Sequence, residues 1–454
     1  MIAADPYGSL FRGALWPAWE GGLRGRPTLP LWREAERRQW WSRERLQAFQ
    51  LRELRALLAH AAARVPYYRA LLAEAALDPA QITSVADLAR LPRLTKTLVR
   101  EHYDALVDPL TAATHVKKKT SGSSGKPFAF EYDQQSEAWR QAIRLRGWGW
   151  AGYRAGARTL YYWGAPVALH GVSGVKTRVD RAIRRETYLD CLAQDDASLA
   201  RAARVITETE PTCIVTWPIA MAGLARFVTA HRLRTWGTIP VVCGAEALTA
   251  RDRESIERAF GAAVYETYGA RETMLLAAEC ERHDGLHTMD DAQVVEVVKD
   301  GRPALPGEVG EVLVTDLHNL GMPLIRYENG DLAMAGPDEP CACGRGLGRV
   351  ARVMGRQSDT LRGARGEPVP GILVHALVAT HDQLVLDYQL VQRASGEVVL
   401  RVVPSSDADG PGVERIAADV ARYLGGLPVR VERVASIERG PGGKHRSVIV
   451  EPAG

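Results

Sequence analysis

Apolar residues recur at helical spacing in the first part of the chain. Over residues 32–75, leucines and alanines stand three and four positions apart with arginines between them, which predicts amphipathic helices. A helix should restart at Pro66, and Ser84 should cap a short helix that ends before Pro92. We therefore expect a helical segment over about residues 30–110.

The middle of the chain alternates between strand-like and helical patterns. Between about residues 116 and 314, runs of β-branched and aromatic residues are separated by helical stretches. The strand-like runs include TLYYW, TCIVTW, IPVVCG and AVYETYG, and the helical stretches include SLARAARVITET and ARDRESIERAF. This alternation predicts an α/β domain with a largely parallel sheet.

The pattern changes near Gly355. A hairpin with a Ser-Gly turn (DYQLVQRASGEVVLRVVP) is followed by a helix (GVERIAADVARYLGG) and a strand (PVRVERVAS), which predicts a small α+β unit. The segment GRQSDTLRGARGEP contains glycines and charges that suit a hinge. We expect a large amino-terminal domain over residues 1–355 and a small, mobile carboxy-terminal domain over residues 356–454.

Composition and charge narrow the class of protein. The 454 residues exceed what one hydrophobic core usually serves, and the fractions of 46% apolar and 25% charged residues are typical of globular proteins. A net charge of +4 without a dense basic stripe argues against a nucleic-acid partner. No apolar stretch reaches about 18 residues and the first residues lack a signal-peptide core, so we expect a cytoplasmic protein without a membrane partner.

One short stretch, VKKKTSGSSGKPFAFEYD over residues 116–133, gathers lysines, hydroxyls and glycines. It differs from a nucleotide-triphosphatase loop, because Gly122 and Gly125 enclose only two residues and Pro127 follows the lysine. The flanking runs have strand character, so the loop should join two strands and bind phosphate through backbone N–H groups, hydroxyls and a lysine charge. A flexible hairpin tip is the alternative interpretation.

The segment TSGSSGKP resembles the phosphate-binding loop of the adenylate-forming enzymes, which include acyl-CoA synthetases, luciferases and peptide-synthetase adenylation domains. Four further segments follow in the order and spacing of that superfamily: YETYGARET, PLIRYENGD, GRQSD and GPGGKHR. The segments VPYYRALLAEA, LARLPRLTK, ECERHDGLH and CACGR resemble the phenylacetate–CoA ligase and CapK-like branch. The resemblance runs from about residue 40 to the end of the chain.

The resemblance implies a site for ATP and Mg²⁺. Glu272 would hold Mg²⁺, Asp331 would accept both ribose hydroxyls, and Arg356 would bind the ribose or the phosphates. The other residues implied to contact the nucleotide are Thr120, Ser121, Gly122, Ser123, Ser124, Gly125 and Lys126 around the phosphates and Gly244, Ala245, Glu246, Tyr268 and Gly269 around the adenine. Taken alone, Tyr268 has the pattern of a core aromatic and Asp331 that of a turn residue.

Two positions depart from the residues usual in the superfamily. Arg271 stands where Ser or Thr usually precedes the glutamate, so a fixed positive charge replaces a hydroxyl group. The partner of the Arg271 side chain is then phosphate, substrate or solvent. Ser358 stands at the hinge, where Asp or Lys is common, and removes a charge from the pivot without forbidding rotation.

Lys444, in GPGGKHR, is implied to be the catalytic lysine. It would bridge the substrate carboxylate and the α-phosphate while negative charge builds there, a role that suits a compact ammonium group. Without the resemblance, Lys444 is interpreted as a solvated loop lysine. Since the small domain must carry it into place, Lys444 should serve adenylation and not the later acyl transfer.

Two cysteine pairs suggest a metal site. Cys280-x2-His283 and Cys341-x-Cys343 together supply three thiolates and an imidazole, which is a ligand set for tetrahedral structural zinc. Free thiols are the alternative interpretation, and His287 is a second candidate for the histidine ligand.

The pocket for the organic acid is less clearly marked. The residues proposed to line it are Trp163, Gly164, His170, Trp217 and Cys243. Their aromatic walls suit an aryl or arylacetic acid, and they equally fit an ordinary core. The isolated cysteines, Cys191, Cys213 and Cys243, are expected to be buried thiols.

The sequence thus predicts an ATP- and Mg²⁺-dependent ligase that activates a carboxylic acid and transfers the acyl group to coenzyme A. An amide or ester ligase that transfers the acyl group directly to an amine or hydroxyl is the first alternative, and a non-catalytic nucleotide-binding homologue is the second. A zinc-dependent nucleic-acid module is disfavoured, because the ligand pairs are far apart and lack a basic stripe. The expected partners are small molecules, and a homodimer is the oligomer considered.

Overall fold

The computed structural model describes residues 5–120, 128–164, 171–246, 248–356, 360–366, 368–371, 374, 378, 381, 384–405, 410–438 and 446–451. Within these ranges, no helix is long and apolar enough to cross a membrane.

The helices are α1 (Pro6–Leu10), α2 (Thr28–Arg38), α3 (Arg43–Arg64), α4 (Pro66–Glu74), α5 (Lys96–Glu101), α6 (Gln134–Trp150), α7 (Gly171–Arg184), α8 (Asp196–Thr209), α9 (Pro218–Ala230), α10 (Ala250–Phe260) and α11 (Gly410–Tyr423). The described part of the chain also contains two π-helical segments, Phe11–Leu15 and Ala18–Leu23. It contains four 3₁₀ segments, Pro79–Gln81, Val85–Arg90, Asp104–Leu106 and Ala112–Thr114. The predicted helical segment is confirmed: Ser42 caps α3, Pro66 opens α4, and Ser84 caps the 3₁₀ helix Val85–Arg90.

The strands are β1 (Val116–Thr120), β2 (Phe128–Tyr132), β3 (Thr159–Trp163), β4 (Glu186–Asp190), β5 (Cys213–Thr216), β6 (Val241–Cys243), β7 (Val264–Ala270), β8 (Met274–Glu279), β9 (Leu286–Thr288), β10 (Gln293–Lys299), β11 (Arg302–Pro303), β12 (Val309–Asp316), β13 (Tyr327–Ala335), β14 (Arg349–Arg356), β15 (Thr360–Arg362), β16 (Pro368–Pro370), β17 (Val385–Gln392), β18 (Val398–Pro404), β19 (Val429–Arg433) and β20 (Val448–Val450).

The main sheet has twelve strands in the order β11-β10-β12-β13-β14-β9-β8-β7-β6-β5-β3-β4. Strands β4, β3, β5, β6 and β7 are parallel, as the alternating pattern predicts, and helices α7 to α10 connect them. The prediction of a largely parallel sheet is wrong for the other half, where neighbouring strands are antiparallel. Neighbouring strands there, such as β7 and β8 or β8 and β9, follow each other through connections too short for a parallel crossover.

Both faces of the parallel half are covered. On one face, Leu160 and Val241 pack with apolar residues of α8, α9 and α10. On the other face, Phe11 and Trp16 from the amino-terminal segment pack with Leu145 of α6. The central strands of this parallel half are therefore covered by apolar residues on both sides.

Strands β1 and β2 form an antiparallel hairpin, as predicted for the phosphate-loop segment. Buried Glu131 fixes its base by accepting hydrogen bonds from Tyr103 Oη at 2.7 Å and His115 Nδ1 at 3.2 Å, with Lys117 Nζ at 3.1 Å. The connecting residues 121–127 lie outside the described part of the chain. The strand pairing sets residues 120 and 128, at the two ends of this loop, opposite each other.

The carboxy-terminal unit has its own sheet, in the order β19-β18-β17-β20, and its own apolar core with α11. The predicted hairpin is confirmed, with Gly396 at φ 88° in its turn. The predicted helix and final strand are also present as α11 and β19. The domain boundary at residues 355/356 and the mobility of the small domain stay predictions.

Candidate active site

A buried carboxylate, Asp331, stands at the centre of a polar cluster. Its Oδ2 accepts hydrogen bonds from Tyr268 Oη and Asn329 Nδ2, both at 2.9 Å, and its Oδ1 lies 2.9 Å from Arg356 Nε. Burial raises the pKa of Asp331, and the nearby Arg356 opposes that shift. The Asp331 charge in turn raises the pKa of Arg356, which favours the charged guanidinium beside the carboxyl group.

Strand pairing explains how these residues meet. Strands β13 and β14 are antiparallel, and their register places Asp331 directly opposite Arg356. Along β13 every second side chain is buried, so Tyr327, Asn329 and Asp331 share one face. The predicted ribose ligand Asp331 and its neighbour Arg356 are therefore brought together by register.

Lys96 also belongs to this cluster, although none of the sequence motifs includes it. Its Nζ donates to the backbone oxygen of Asn329 at 2.7 Å, and Arg356 donates to the same oxygen at 3.0 Å. Burial and the charge of Arg356 lower the pKa of Lys96, while Glu272 and Asp331 act in the opposite direction. Lys96 is the first residue of α5, where the helix dipole disfavours a cation. A lysine at this unfavourable position is the feature of the sequence that indicates a role for Lys96.

Glu272 lies in the turn between β7 and β8 and is buried. Its Oε1 accepts a hydrogen bond from Tyr327 Oη at 2.8 Å, which joins it to the buried face of β13. Arg271 beside it is exposed to solvent. The structure thus brings the predicted residues Glu272, Asp331 and Arg356 into one cluster.

The predicted adenine segment follows β6. The backbone N–H of Gly244 donates to Thr216 O at 3.1 Å, and Ala245 has a positive φ of 71°. A Cβ on Gly244 would lie 2.8 Å from Thr267 Oγ1, so glycine permits a close approach to β7.

The Tyr268 ring packs in an apolar cluster with Leu276 and Val314, as a core aromatic would. The Tyr268 hydroxyl donates a hydrogen bond to Asp331.

Two tryptophans of the predicted acid pocket are in contact. The rings of Trp163 and Trp217 meet edge to face, 5.8 Å apart at an interplanar angle of 75°. A Cβ on Gly164 would lie 2.5 Å from the Trp217 ring, so only glycine fits there. Cys243 is buried in the core formed with α8 to α10, and burial raises the pKa of its thiol.

A second cluster brings together four potential metal ligands, Cys280, His287, Cys341 and Cys343, whose donor atoms lie within 4.8 Å of one another. Cys280 Sγ is 3.9 Å from Cys341 Sγ, and Cys343 Sγ is 3.3 Å from His287 Nε2. Tetrahedral zinc–thiolate bonds of about 2.3 Å place two sulfurs about 3.8 Å apart, so the set fits zinc. His287 Nδ1 lies 3.2 Å from Leu347 O, which leaves Nε2 free for a metal.

Of the two candidate histidines, the structure places His287 in this set, whereas His283 lies beside Glu279. His283 has a positive φ of 51°, and its Nδ1 lies 3.3 Å from Glu279 Oε2. His287 is brought in by strand pairing, because the β8–β9 register sets it opposite Ala278. Spacing along the chain favours His283, whereas the sheet selects His287.

Several predicted residues lie outside the described part of the chain: Ser121, Gly122, Ser123, Ser124, Gly125, Lys126, His170, Ser358 and Lys444. Thr120 is described as the last residue of β1.

Comparison with known proteins identifies the family. No protein-family profile matches the chain. A phenylacetate-coenzyme A ligase of Thermus thermophilus is 30% identical over 372 residues, which are 78% of this chain and 80% of that protein. The chain belongs to the phenylacetate–coenzyme A ligase family. Protein CapK of Staphylococcus aureus is 22% identical over 393 residues, covering 84% of each chain.

The fold of this family member agrees with the assignment. The crystal structure of 2-hydroxyisobutyryl-CoA ligase in the postadenylation state superposes with a TM-score of 0.72 at 22% identity, covering 92% of both chains. The protein therefore has the fold of that CoA ligase, which agrees with the sequence motifs.

An acidic pair, buried Glu279 and half-buried Glu266, lies next to the predicted adenine segment. The Glu279 carboxylate accepts two hydrogen bonds from Arg253, at 2.7 and 2.8 Å, and one from the backbone N–H of Glu266 at 2.7 Å. Burial, together with the charge of Glu279, raises the pKa of Glu266 from 4.5 to about 7. The Glu266 carboxyl group also accepts a hydrogen bond from the backbone of Leu248, next to the adenine segment.

Glu266→Gln should make stability less dependent on pH. Because the folded protein binds the Glu266 proton more tightly than the unfolded chain, wild-type stability falls as the pH rises from about 4.5 to about 7. Glutamine carries no such charge, so the variant should gain on the order of 3 kcal/mol over wild type between pH 5 and pH 8. Urea unfolding at both pH values measures this. Glu254→Gln, at an exposed position, is the control, and an equal pH response of both variants would contradict the expectation.

Proposed function

We propose that this ligase activates a carboxylic acid with ATP and transfers the acyl group to coenzyme A. In the first step a carboxylate oxygen attacks the α-phosphorus, the bond to pyrophosphate breaks, and an acyl-adenylate forms. In the second step the thiolate of coenzyme A attacks the acyl carbonyl and AMP leaves. The observation that carries the proposal is the cluster that joins buried Glu272 and Asp331 to half-buried Arg356 in a member of the phenylacetate–CoA ligase family.

The cluster offers a group for each part of the nucleotide. Asp331 keeps lone pairs on both oxygens and would accept the ribose hydroxyls, while Arg356 and Lys96 supply positive charge beside them. The loop from Thr120 to Lys126 would surround the β- and γ-phosphates. Adenine would lie along Gly244, Ala245, Glu246, Tyr268 and Gly269. Glu272 would hold Mg²⁺, which neutralises phosphate charge when bound.

The acid pocket that we propose lies at the carboxyl ends of β3 and β5, where Trp163, Gly164 and Trp217 meet. Two tryptophan rings and a glycine favour a flat aryl or arylacetic acid. The name of the Thermus thermophilus relative, phenylacetate-coenzyme A ligase, supports this class. His170 and Cys243 complete the proposed lining. We further propose a cytoplasmic enzyme whose partners are small molecules.

A substrate panel tests the reaction. Pyrophosphate exchange with ATP should depend on an aryl or arylacetic acid, and mass spectrometry should detect the acyl-CoA product when coenzyme A is added. Products formed with amines or alcohols but not with coenzyme A would favour the amide or ester ligase instead. No exchange with any aromatic or aliphatic acid would contradict the proposal and favour a non-catalytic homologue.

We propose that Lys444 on the small domain acts in adenylation alone. Lys444→Ala should lose ATP–pyrophosphate exchange at least a hundredfold, because the ammonium group stabilises charge that develops only in that step. The same variant should still convert a supplied acyl-adenylate and coenzyme A into acyl-CoA. Equal loss of adenylation and of acyl transfer would contradict the proposal that Lys444 acts in adenylation alone.

We propose that Cys280, His287, Cys341 and Cys343 bind a structural zinc ion. His287→Ala should lower the zinc content, measured by mass spectrometry of the purified protein, well below one ion per chain and should lower the melting temperature. His283→Ala is the matched control and should keep both values. If His283→Ala loses zinc and His287→Ala retains it, the assignment of the ligand is wrong.

A further inference from the structure

The turn that carries Glu272 is tight and strained. Residues 271–273 connect β7 to β8, and Met274, directly after them, has a positive φ of 63°. A Cβ on Gly269 would lie 2.1 Å from the backbone oxygen of Met274, so the two strands approach closely. A non-glycine residue keeps such a conformation only where its surroundings hold it in place. The groups that pack behind the turn therefore decide where Glu272 lies.

Arg140 of α6 is the first of these groups. Its guanidinium donates to the backbone oxygen of Glu272 at 2.6 Å and to Asp316 Oδ2 at 3.2 Å. It also donates from Nε to Ser136 Oγ at 3.1 Å and lies over the Tyr132 ring at 4.3 Å. Both Arg140 and Asp316 are buried. A charge-assisted hydrogen bond in such surroundings fixes the Glu272 backbone strongly.

Gln293 of β10 supports the next residue of the turn. Its Nε2 donates to the backbone oxygen of Thr273 at 2.5 Å. Thr273 Oγ1 and Gln293 Oε1 are both buried, and neither has a hydrogen-bond partner among the residues that the structure describes. Both residues line a cavity of about 10 Å³, together with Arg140 and Asp316. That volume suits one water molecule, and the polar lining offers it partners.

We propose that Arg140 and Gln293 are positioning residues for Glu272, and that one ordered water completes their network by joining Thr273 to Gln293. The network holds the strained turn so that the Glu272 carboxylate points toward the nucleotide site. This inference rests on the proposed role of Glu272 in binding Mg²⁺.

The same helix provides a matched control. Arg146 is also buried, pairs with Asp291 at 2.7 and 2.9 Å, and donates to a backbone oxygen, that of Ala35, at 3.0 Å. Arg146 therefore resembles Arg140 in burial and bonding, but it contacts α2 rather than the Glu272 turn. Arg→Lys at either position keeps the charge and loses the planar fork that holds two acceptors at once.

The test compares Arg140→Lys with Arg146→Lys. Both variants should have a lower melting temperature, but only Arg140→Lys should raise the Mg²⁺ concentration for half-maximal pyrophosphate exchange, by about tenfold. In metal-free protein, hydrogen exchange of the amides in the 270–275 segment should quicken in Arg140→Lys and not in Arg146→Lys. Thr273→Val, which removes only the hydroxyl, should raise the Mg²⁺ requirement about threefold and quicken exchange of the same amides.

Each outcome decides between the claims. If the wild type shows no ATP–pyrophosphate exchange with any acid, the proposed function is contradicted, but the proposed network is not. If the wild type is active and Arg140→Lys matches Arg146→Lys in both Mg²⁺ dependence and hydrogen exchange, Arg140 is merely structural and the inference is overturned. If Thr273→Val behaves as wild type in both measurements, the water bridge is overturned.

Discussion

The burial of the Asp331 carboxylate constrains the rest of the site. A charged carboxylate taken out of water is costly unless other groups surround it with opposite charge and hydrogen bonds. Arg356, Tyr268 and Asn329 do this, and each comes from a defined strand position. The pairing of β13 with β14 sets Asp331 opposite Arg356, and the hydrogen bond from Tyr268 to Asp331 joins β13 to β7. Without that pairing, the residues of the proposed nucleotide site would not meet.

Strand β7 is where the two halves of the proposed site join. It pairs in parallel with β6 on one side and antiparallel with β8 on the other. The parallel half ends in aromatic and glycine positions suited to an apolar acid, and the antiparallel half supplies the charged groups. An adenylate-forming reaction needs an apolar acid and a polyphosphate held beside each other, and the change of strand direction at β7 sets the two surfaces side by side.

Sequence patterns predicted the features that depend on residues close together along the chain. Helical spacing and caps located α3 and α4, and alternation located the parallel strands. The ordered motifs selected Glu272, Asp331 and Arg356, which the structure brings into one cluster. Features that depend on pairing between distant segments were missed. Lys96 reaches the cluster because the chain at Leu94 pairs with Tyr327, more than two hundred residues away. The same cause explains why His287, rather than His283, lies with the three cysteines. The pairing of β8 with β9, and not spacing along the chain, brings the His287 imidazole to them.

A crystal structure with Mg²⁺ and a non-hydrolysable ATP analogue tests the central claim most directly. The account predicts that the ribose hydroxyls lie within hydrogen-bond distance of the Asp331 carboxylate, that the triphosphate lies along Thr120 to Lys126, and that the metal contacts Glu272. A nucleotide bound elsewhere, with the Asp331–Arg356 pair closed and free of ligand, would contradict it.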